Sequence, residues 1–355
     1  MKKLSFGLLI IVFISVLVIG GCAGPAPAPA PAPTKPVVLS IHHHQPATAT
    51  AQVYIFEPWT KMIEERANGK VKFNIFPSGA LSTAVDAYRS AATGIVDISF
   101  GWSHFGPADK PALSVIQLPF APYATNGLQA SWVMQKMYEE GFFNKDLGDT
   151  QLLALFTLHQ RVIHTVSPVN KMEDLKGKRI ADGGPDTIAL LEALGATGIG
   201  IPPGPERYTA FEKKAIDGIL IAWEAMEGYN YWDFCKYHVN QSMENGSFFI
   251  TMNKDKYNSL PPDVKEAIDH YSGMWLSEFS AKAWAKKDIE IMELLKTRPG
   301  HTVVNLAPDE AARWQALGPN LWKGWLARLQ ERGYDGQKLI DRAVQLGEEY
   351  VKTKK

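Results

Sequence analysis

The chain has 355 residues, with 37 lysine and arginine side chains against 37 aspartate and glutamate side chains, so its formal net charge at pH 7 is zero. This balance and the lack of a long basic stripe argue against a nucleic acid partner. The two cysteines are Cys22 and Cys235, and Cys235 has no partner within the chain if Cys22 is modified. About 320 residues follow the N-terminal segment, more than a single hydrophobic core usually holds, which predicts two lobes.

The N-terminal segment is typical of a secreted protein. After a basic start, the apolar run at residues 8–19 is shorter than the roughly 20 residues that span a membrane. Residues 19–22 (IGGC) resemble a bacterial lipobox, which predicts a signal peptide over residues 1–21 and lipidation of Cys22; an ordinary signal with a chance cysteine is the alternative. The alternating prolines in residues 22–36 predict an extended linker. We therefore expect a lipid-anchored protein outside the cytoplasmic membrane.

The first lobe is predicted to begin with a β-α-β-α-β unit, because short apolar runs alternate with stretches of helical spacing. The predicted strands are residues 37–41, 71–76 and 95–100, and the predicted helices are one that ends at Asn68-Gly69 and one at residues 83–92. We assign residues 37–155 and 246–272 to this lobe.

The second lobe repeats the alternation of strands and helices, which predicts an α/β fold of two lobes. Its predicted elements lie at residues 175–180, 187–194, 209–214 and 216–222, after crossing strands at residues 152–158 and 161–166 and before a return strand at residues 248–252. We assign residues 156–245 and 297–355 to this lobe. Pro261-Pro262 opens a long amphipathic pattern, in which residues 273–296 are predicted to form a helix that connects the lobes.

The sequence contains no familiar catalytic or cofactor-binding signature: no G-x-S-x-G elbow, no H-E-x-x-H and no phosphate-binding loop. The glycine-rich residues 195–204 lack the third glycine of a dinucleotide fingerprint, which favours a tight connection next to a strand. We therefore predict no cofactor and no catalytic residues.

Three residues at the carboxyl ends of first-lobe strands are candidate ligand contacts, because ligands of open α/β sheets bind at that edge. His43 and His44 follow the first strand, and Trp102 follows the third. The histidines are interpreted as hydrogen-bond donors to an oxyanion, as part of a metal site, or as a solvated loop. Strand alternation puts these two on opposite faces, which argues against a shared metal. Trp102 is either an apolar wall for a ligand or packing between the lobes.

Several short segments, in order along the chain, resemble solute-binding proteins of tripartite ATP-independent periplasmic (TRAP) transporters. These segments are NGKVKFNIFPSGAL at 68–81, GIVDI at 94–98, LPF at 118–120, DLKG at 174–177, YTAF at 208–211, IDG at 216–218 and MNK at 252–254. No single segment is specific, but together they cover most of residues 37–300. The resemblance implies two α/β lobes that close on a small organic acid, which is then delivered to a membrane permease driven by an ion gradient.

The sequence departs from this family at a position that affects the ligand. In the family, the segment corresponding to residues 174–177 precedes a strand arginine that binds the ligand carboxylate, and Ala181 stands at that position here. Arg179 or Lys178 could replace it. A second family arginine, on the crossing strand, corresponds to Arg161 and is retained, so the resemblance implies that Arg161 binds a carboxylate; an ion pair with an acid near the hinge is the alternative.

Trp223 and Glu224 correspond to a Trp-Glu pair in one branch of the family and are further candidate ligand contacts. The alternatives are a core position for Trp223 and a solvated position at a helix start for Glu224. With one arginine missing, we predict a monocarboxylate with an apolar or aromatic body. Arg161 is expected to hold the carboxylate with help from His43 or His44, and Trp102 and Trp223 are expected to supply flat apolar walls.

The sequence leaves two other classes of function open. A secreted lipoprotein enzyme would use His43, His44 and Glu224 as acid-base groups, although no nucleophile accompanies them. An interaction or structural lipoprotein would bind no small molecule.

Overall fold

Strands and helices alternate along the chain as the hydrophobic pattern predicts, and the α/β class is confirmed. A computed structural model of the protein describes residues 35–103, 110–201 and 203–353, which from Pro36 onward belong to one body. The predicted signal peptide, the lipidation site Cys22 and nearly all of the linker lie outside the described residues. Within the described ranges, no helix combines the length and apolar character needed to cross a bilayer.

The strands form two separate sheets. They are β1 (Val37–His42), β2 (Val71–Phe76), β3 (Ile98–Trp102), β4 (Thr150–Thr157), β5 (Arg161–Thr165), β6 (Arg179–Asp182), β7 (Thr197–Gly200), β8 (Gly218–Ile221), β9 (Tyr237–Glu244), β10 (Ser247–Asn253) and β11 (Thr302–Val304). The first sheet has the order β2-β1-β3-β10-β4, and the second has the order β11-β9-β5-β8-β6-β7.

The helices fill the connections between strands and cover both sheets. They are α1 (Glu57–Arg66), α2 (Ala87–Ala92), α3 (Gly127–Glu139), α4 (Asn144–Leu147), α5 (Pro185–Ala193), α6 (Pro205–Glu212), α7 (Glu224–Gly228), α8 (Lys254–Ser259), α9 (Pro262–His270), α10 (Met274–Thr297), α11 (Pro308–Gln315), α12 (Gly318–Glu331) and α13 (Gly336–Thr353). Several begin with proline, which lacks the backbone N–H that would be unpaired in the first turn.

Each sheet has an apolar core on both faces. In β10, Phe248 packs in one core and its neighbour Phe249 packs in the other, because successive side chains of a strand point to opposite faces. In β8 of the second sheet, Ile219 and Leu220 are divided between two further cores in the same way. Two sheets with their own cores make two lobes, so the predicted two-lobe architecture is confirmed.

The chain passes between the lobes at two adjacent points. It leaves the first sheet at the end of β4 and joins the second sheet at Arg161, and it returns between Glu244 of β9 and Ser247 of β10. The outgoing and returning strands lie side by side in each lobe, since β4 is antiparallel to β10 and β5 is antiparallel to β9. This pairing brings the first residues of the second lobe next to the edge of the first.

The amphipathic pattern that begins at Pro261-Pro262 forms two helices rather than one. Gly273 has a positive φ of 61° and separates α9 from α10, a conformation that glycine adopts without the penalty of a side chain. Its N–H donates to the carbonyl of Leu153 at 2.6 Å. After this break, α10 packs on α3 and β4 of the first lobe and on α7 and β11 of the second lobe.

The C-terminal segment differs from the sequence-based assignment of residues 297–355 to the second lobe. Trp314 of α11 packs in the second lobe, but Trp325 of α12 and Leu339 of α13 pack with α3 in a core of the first lobe. The physical reason is that α13 presents a continuous apolar stripe that packs on α3. The last described helix therefore belongs to the first lobe.

Candidate functional site

Strand ends from both sheets meet at one cavity between the lobes. A narrow deep pocket, about 30 Å³ in volume, opens toward an outer pocket of about 550 Å³, and the two share the side chains of His44, Pro203 and Tyr229. Four of the predicted site residues line the deep pocket, namely His44, Trp102, Arg161 and Glu224, together with Phe248. Two predicted residues, His43 and Trp223, line neither pocket.

Arg161 is fully buried and is held by two carboxylates of its own lobe. It faces Glu244 across the β5–β9 ladder and forms ion pairs with Glu244 through Nη1 and with Asp182 through Nη2. Nη2 also donates to the carbonyl of Leu220 at 3.0 Å. Burial lowers the pKa of Arg161, whereas the charge of Asp182 favours the protonated form. Among the described residues, Nε of Arg161 has no hydrogen-bond partner.

The ion pair that the sequence left open for Arg161 is therefore present, and contact with a ligand stays a prediction. A second buried arginine, Arg207 of α6, lies 3.9 Å from Asp182. We call Arg161, Asp182, Arg207 and Glu244 the charged cluster. Its formal charge is zero, and all four side chains are buried within the second lobe.

Aromatic groups of the first lobe form the opposite side of the deep pocket. The indole of Trp102 lies over the guanidinium of Arg161 at 5.0 Å, close enough for a cation–π contact between the lobes. Phe248 pairs with Trp102 in the β3–β10 ladder, with their ring centres 6.1 Å apart. We call His44, Trp102 and Phe248 the aromatic wall.

The two candidate histidines point in different directions. The ring of His44 stacks on Phe100 at 5.5 Å, and burial lowers its pKa to about 3. His43 instead places Nε2 2.7 Å from Oε1 of Gln52 and stacks on Phe56, away from the cavity. Burial also lowers the pKa of His43. Neither imidazole carries a positive charge near pH 7, and among the described residues no group of three or more His, Cys, Asp or Glu side chains is arranged to hold a metal ion.

Trp223 and Glu224 are adjacent in sequence but have different surroundings. Trp223 is buried against His164, with ring centres 5.2 Å apart, which corresponds to the core alternative. Glu224 lies at the start of α7 and accepts hydrogen bonds from Thr50 Oγ1 at 3.4 Å and from Trp284 Nε1 at 3.3 Å. Burial raises the pKa of Glu224 to about 7. The carboxyl group is thus partly protonated at neutral pH.

The side chains proposed to replace the missing family arginine do not reach the cavity. Ala181 is buried in β6. Arg179 binds Asp217 through Nε at 2.9 Å and Nη2 at 3.0 Å, and Lys178 donates to Ser167. Neither cation lines either pocket.

Sequence reasoning missed most of the charged cluster. Asp182 directly follows Ala181, and Glu244 ends a strand whose mixed composition gives no clear strand pattern. The only available signal was the position of Asp182 at the carboxyl end of a predicted strand. Glu244 and Arg207 approach Asp182 through tertiary structure that a single sequence does not reveal.

Two α/β lobes joined by adjacent crossing strands, with a buried polar site between them, define the class of two-lobe solute-binding proteins. Residues 42–328 match the family described as bacterial extracellular solute-binding protein, family 7, and the chain belongs to this family. Its solved relatives identify it as the receptor of a TRAP transporter, so its role is capture of a solute for transport rather than catalysis.

Three relatives illustrate the similarity. The chain is 29% identical to a marine metagenome TRAP solute-binding protein specific for aromatic acid ligands and solved with metahydroxyphenylacetate, with a TM-score of 0.83 over 88% of this chain and 99% of that one. The fold also matches a TRAP solute-binding protein from Rhodoferax ferrireducens, with a TM-score of 0.81, 24% identity and coverage of 90% and 100%. The outer membrane transporter protein TsaT of Comamonas testosteroni is 25% identical over 81% of this chain and 85% of its own length.

Proposed function

We propose that the protein captures an aromatic monocarboxylate between its lobes and delivers it to a TRAP membrane permease. The observation that carries this proposal is the composition of the deep pocket, where a buried arginine with an unpaired Nε faces the aromatic wall. A ring can pack against Trp102 and Phe248 while its carboxylate accepts a hydrogen bond from Arg161. The marine metagenome relative has been solved with metahydroxyphenylacetate and with 3-hydroxybenzoate, ligands of this class.

The charge of the site favours one carboxylate over two. Asp182 and Glu244 already balance the two buried arginines, so the charged cluster has no formal excess of positive charge. Glu224 would add a further negative charge when ionised. The first ligand carboxylate can accept a hydrogen bond from the unpaired Nε of Arg161, whereas a second would add another buried negative charge to a cluster with no excess of cations, which is costly at low dielectric constant.

Capture is proposed to occur by lobe closure. The deep pocket, at about 30 Å³, is far smaller than the roughly 300 Å³ or more of a typical ligand site. The lobes are linked across it by the Thr50–Glu224 hydrogen bond and the Trp102–Arg161 contact. Separation of these pairs would widen the pocket toward the outer pocket, and a ligand that contacts both lobes would favour the closed state.

We also propose that Cys22 carries the lipid that holds the protein at the outer face of the cytoplasmic membrane or in the periplasm. A diacylglyceryl group supplies two chains, and a single chain gives only marginal membrane binding. Cys22→Ser should move the protein to the soluble fraction or leave the signal uncleaved. Unchanged membrane fractionation, with no lipid mass on the mature N-terminus, would contradict this proposal.

Binding is tested with the purified protein and four compounds: benzoate, 3-hydroxybenzoate, benzamide and succinate. A true ligand at 100 times its dissociation constant stabilises the folded state by about 2.7 kcal/mol, which a thermal shift detects and calorimetry then quantifies. We expect both aromatic acids to bind more tightly than succinate and to be recovered unchanged by mass spectrometry. A preference for succinate would refute the ligand class, and chemical conversion of a ligand would favour an enzyme.

A further inference from the structure

Arg207 is a buried cation whose hydrogen-bonding capacity is largely unused. It lies in the first turn of α6 and is fully buried. Its Nε donates to the carbonyl of Ile201 at 2.7 Å. Among the described residues, neither Nη1 nor Nη2 has a hydrogen-bond partner. These two groups carry up to four N–H donors, which is an unusual number to leave unpaired inside a protein.

The nearest carboxylate does not account for this arrangement. Asp182 lies 3.9 Å from Nη2 of Arg207, beyond hydrogen-bond distance, and makes its close contact with Arg161. A buried guanidinium whose two terminal nitrogens are unpaired destabilises the folded protein unless another group compensates for their lost hydration. An acceptor that arrives with a ligand would supply that compensation.

The free donors of the two buried arginines are complementary. Arg161 uses both terminal nitrogens for Glu244 and Asp182 and leaves Nε unpaired, whereas Arg207 uses Nε and leaves both terminal nitrogens unpaired. Both guanidinium groups approach the same carboxylate, Asp182. A carboxylate has two oxygens and can accept from two guanidinium groups at once.

Arg207 also lies directly behind the wall of the cavity. Its chain neighbours Gly204, Pro205 and Tyr208 line the outer pocket. Tyr229, which lines both pockets, lies near Arg207. A small shift of Gly204 and Pro205 would expose the free end of the side chain to a ligand held between the pockets.

We propose that Arg207 is the second guanidinium of the ligand site and binds the ligand carboxylate together with Nε of Arg161. This inference rests on the proposed function, because it requires a carboxylate ligand. The family resemblance implied that an arginine at the position of Ala181 would bind the ligand carboxylate. The proposal gives that role to Arg207 of α6. The alternative is that Arg207 serves only as a structural partner of Asp182.

The decisive experiment compares benzoate with benzamide, which has the same ring but no charge, in calorimetric titrations of Arg207→Met. Loss of a hydrogen bond to a charged group weakens binding by about 10- to 100-fold. We expect a loss in this range for benzoate and less than about threefold for benzamide. Arg207→Lys keeps the positive charge but not the planar guanidinium that can donate two parallel hydrogen bonds, and should show an intermediate loss of benzoate affinity. Arg179→Met, which removes a half-exposed arginine from β6, is the matched control and should bind both compounds like the wild type.

The melting temperature of the ligand-free variants gives a second, ligand-independent readout. If Arg207 is kept for the ligand, Arg207→Met should lose less stability than Arg161→Met, because Asp182 and Glu244 keep their close partner Arg161. Equal losses for benzoate and benzamide, or no loss for either, would overturn the assignment. If the wild type binds no aromatic acid, the proposed function fails and the role of Arg207 fails with it; if the wild type binds benzoate and Arg207→Met binds it equally well, only the role of Arg207 fails.

Discussion

The two lobes contribute different chemistry to the same cavity. The first lobe supplies the aromatic wall, whose one titratable member, His44, is neutral near pH 7 because burial lowers its pKa to about 3. The second lobe supplies the charged cluster, in which Arg161 and Arg207 are balanced by two carboxylates. Under the proposed function, the first lobe would select the body of the ligand and the second lobe would select its carboxylate.

The largest expected effect is acid unfolding, which acts on both lobes. Burial lowers the pKa of His44 and His164 to about 3 and that of His238 to about 2. Because these values lie below the unfolded value of 6.5, the stabilisation is complete above about pH 6.5 and is lost as the pH falls. The loss at pH 4 should be about 3 kcal/mol for His44, and His164 and His238, whose rings share a hydrogen bond, titrate as a pair that adds to it. Glu224 and Asp288, whose pKa values are raised by burial, act in the opposite direction.

Urea titrations between pH 7 and pH 4 measure this loss. His238→Asn should reduce the slope of the free energy of unfolding against pH, since it removes one buried titrating group. His270→Asn, on the exposed end of α9, is the matched control that leaves the buried histidines in place. A wild-type stability that stays constant down to pH 4 would contradict the prediction.

The next effect concerns the second lobe alone. Arg161→Met would leave Asp182 and Glu244 buried without their close partner, and breaking a buried pair in this way costs about 3–5 kcal/mol. We expect that loss in the free energy of unfolding without ligand. Arg179→Met, which breaks a surface pair with Asp217, should cost far less, because solvent screens an exposed ion pair. If the two variants were equally stable, the charged cluster would not contribute to the fold.

Trp102→Leu tests the first lobe. The substitution removes the indole ring that packs over Arg161 and lines the deep pocket. Aromatic pairs contribute about 0.5–1.5 kcal/mol beyond simple burial, which corresponds to as much as tenfold in affinity. We expect benzoate and benzamide to weaken by the same factor, in contrast to Arg207→Met. A selective loss of benzoate, measured by calorimetry, would mean that the aromatic wall also recognises charge.

The smallest effect is a pH dependence of affinity that originates from Glu224. Since its pKa is raised to about 7, the carboxyl group becomes charged as the pH rises through neutrality and then repels a ligand carboxylate. Benzoate affinity should be highest below about pH 6 and fall by about tenfold at most above pH 8, the equivalent of one pKa unit. Glu224→Gln should bind benzoate independently of pH in this range. A dependence that persists in the variant would point to another group.

The sequence predicted the features that depend on local hydrophobic pattern. The alternation of elements, the crossings near residues 158 and 246 and the position of Trp102 at a strand end follow from the hydrophobic pattern. Arg161 was indicated by the family resemblance instead. Strand β9 was missed because polar side chains interrupt its apolar positions, and β7 was interpreted as a connection because it is short and glycine-rich.

The features that depend on distant parts of the chain could not be predicted. Arg161 meets Asp182 and Glu244, which are 21 and 83 positions further along the chain, so nothing in its local sequence shows whether it is paired. The directions of His43 and His44 are set by packing on Phe56 and Phe100. The location of α13 likewise depends on its packing against α3, a contact between distant parts of the chain.

The place of β10 in the first sheet has a consequence for how the protein folds. This strand lies between β3 and β4, yet it follows the crossing strands and almost all of the second sheet along the chain, and Ser103 and Ser247 bond across 144 positions. Such distant pairing is slow to form. While β10 is missing, β3 and β4 present facing edges that can pair with other chains. The second lobe, whose strands β5 to β9 are consecutive, can assemble first, and a fragment that ends before residue 247 would be prone to aggregate.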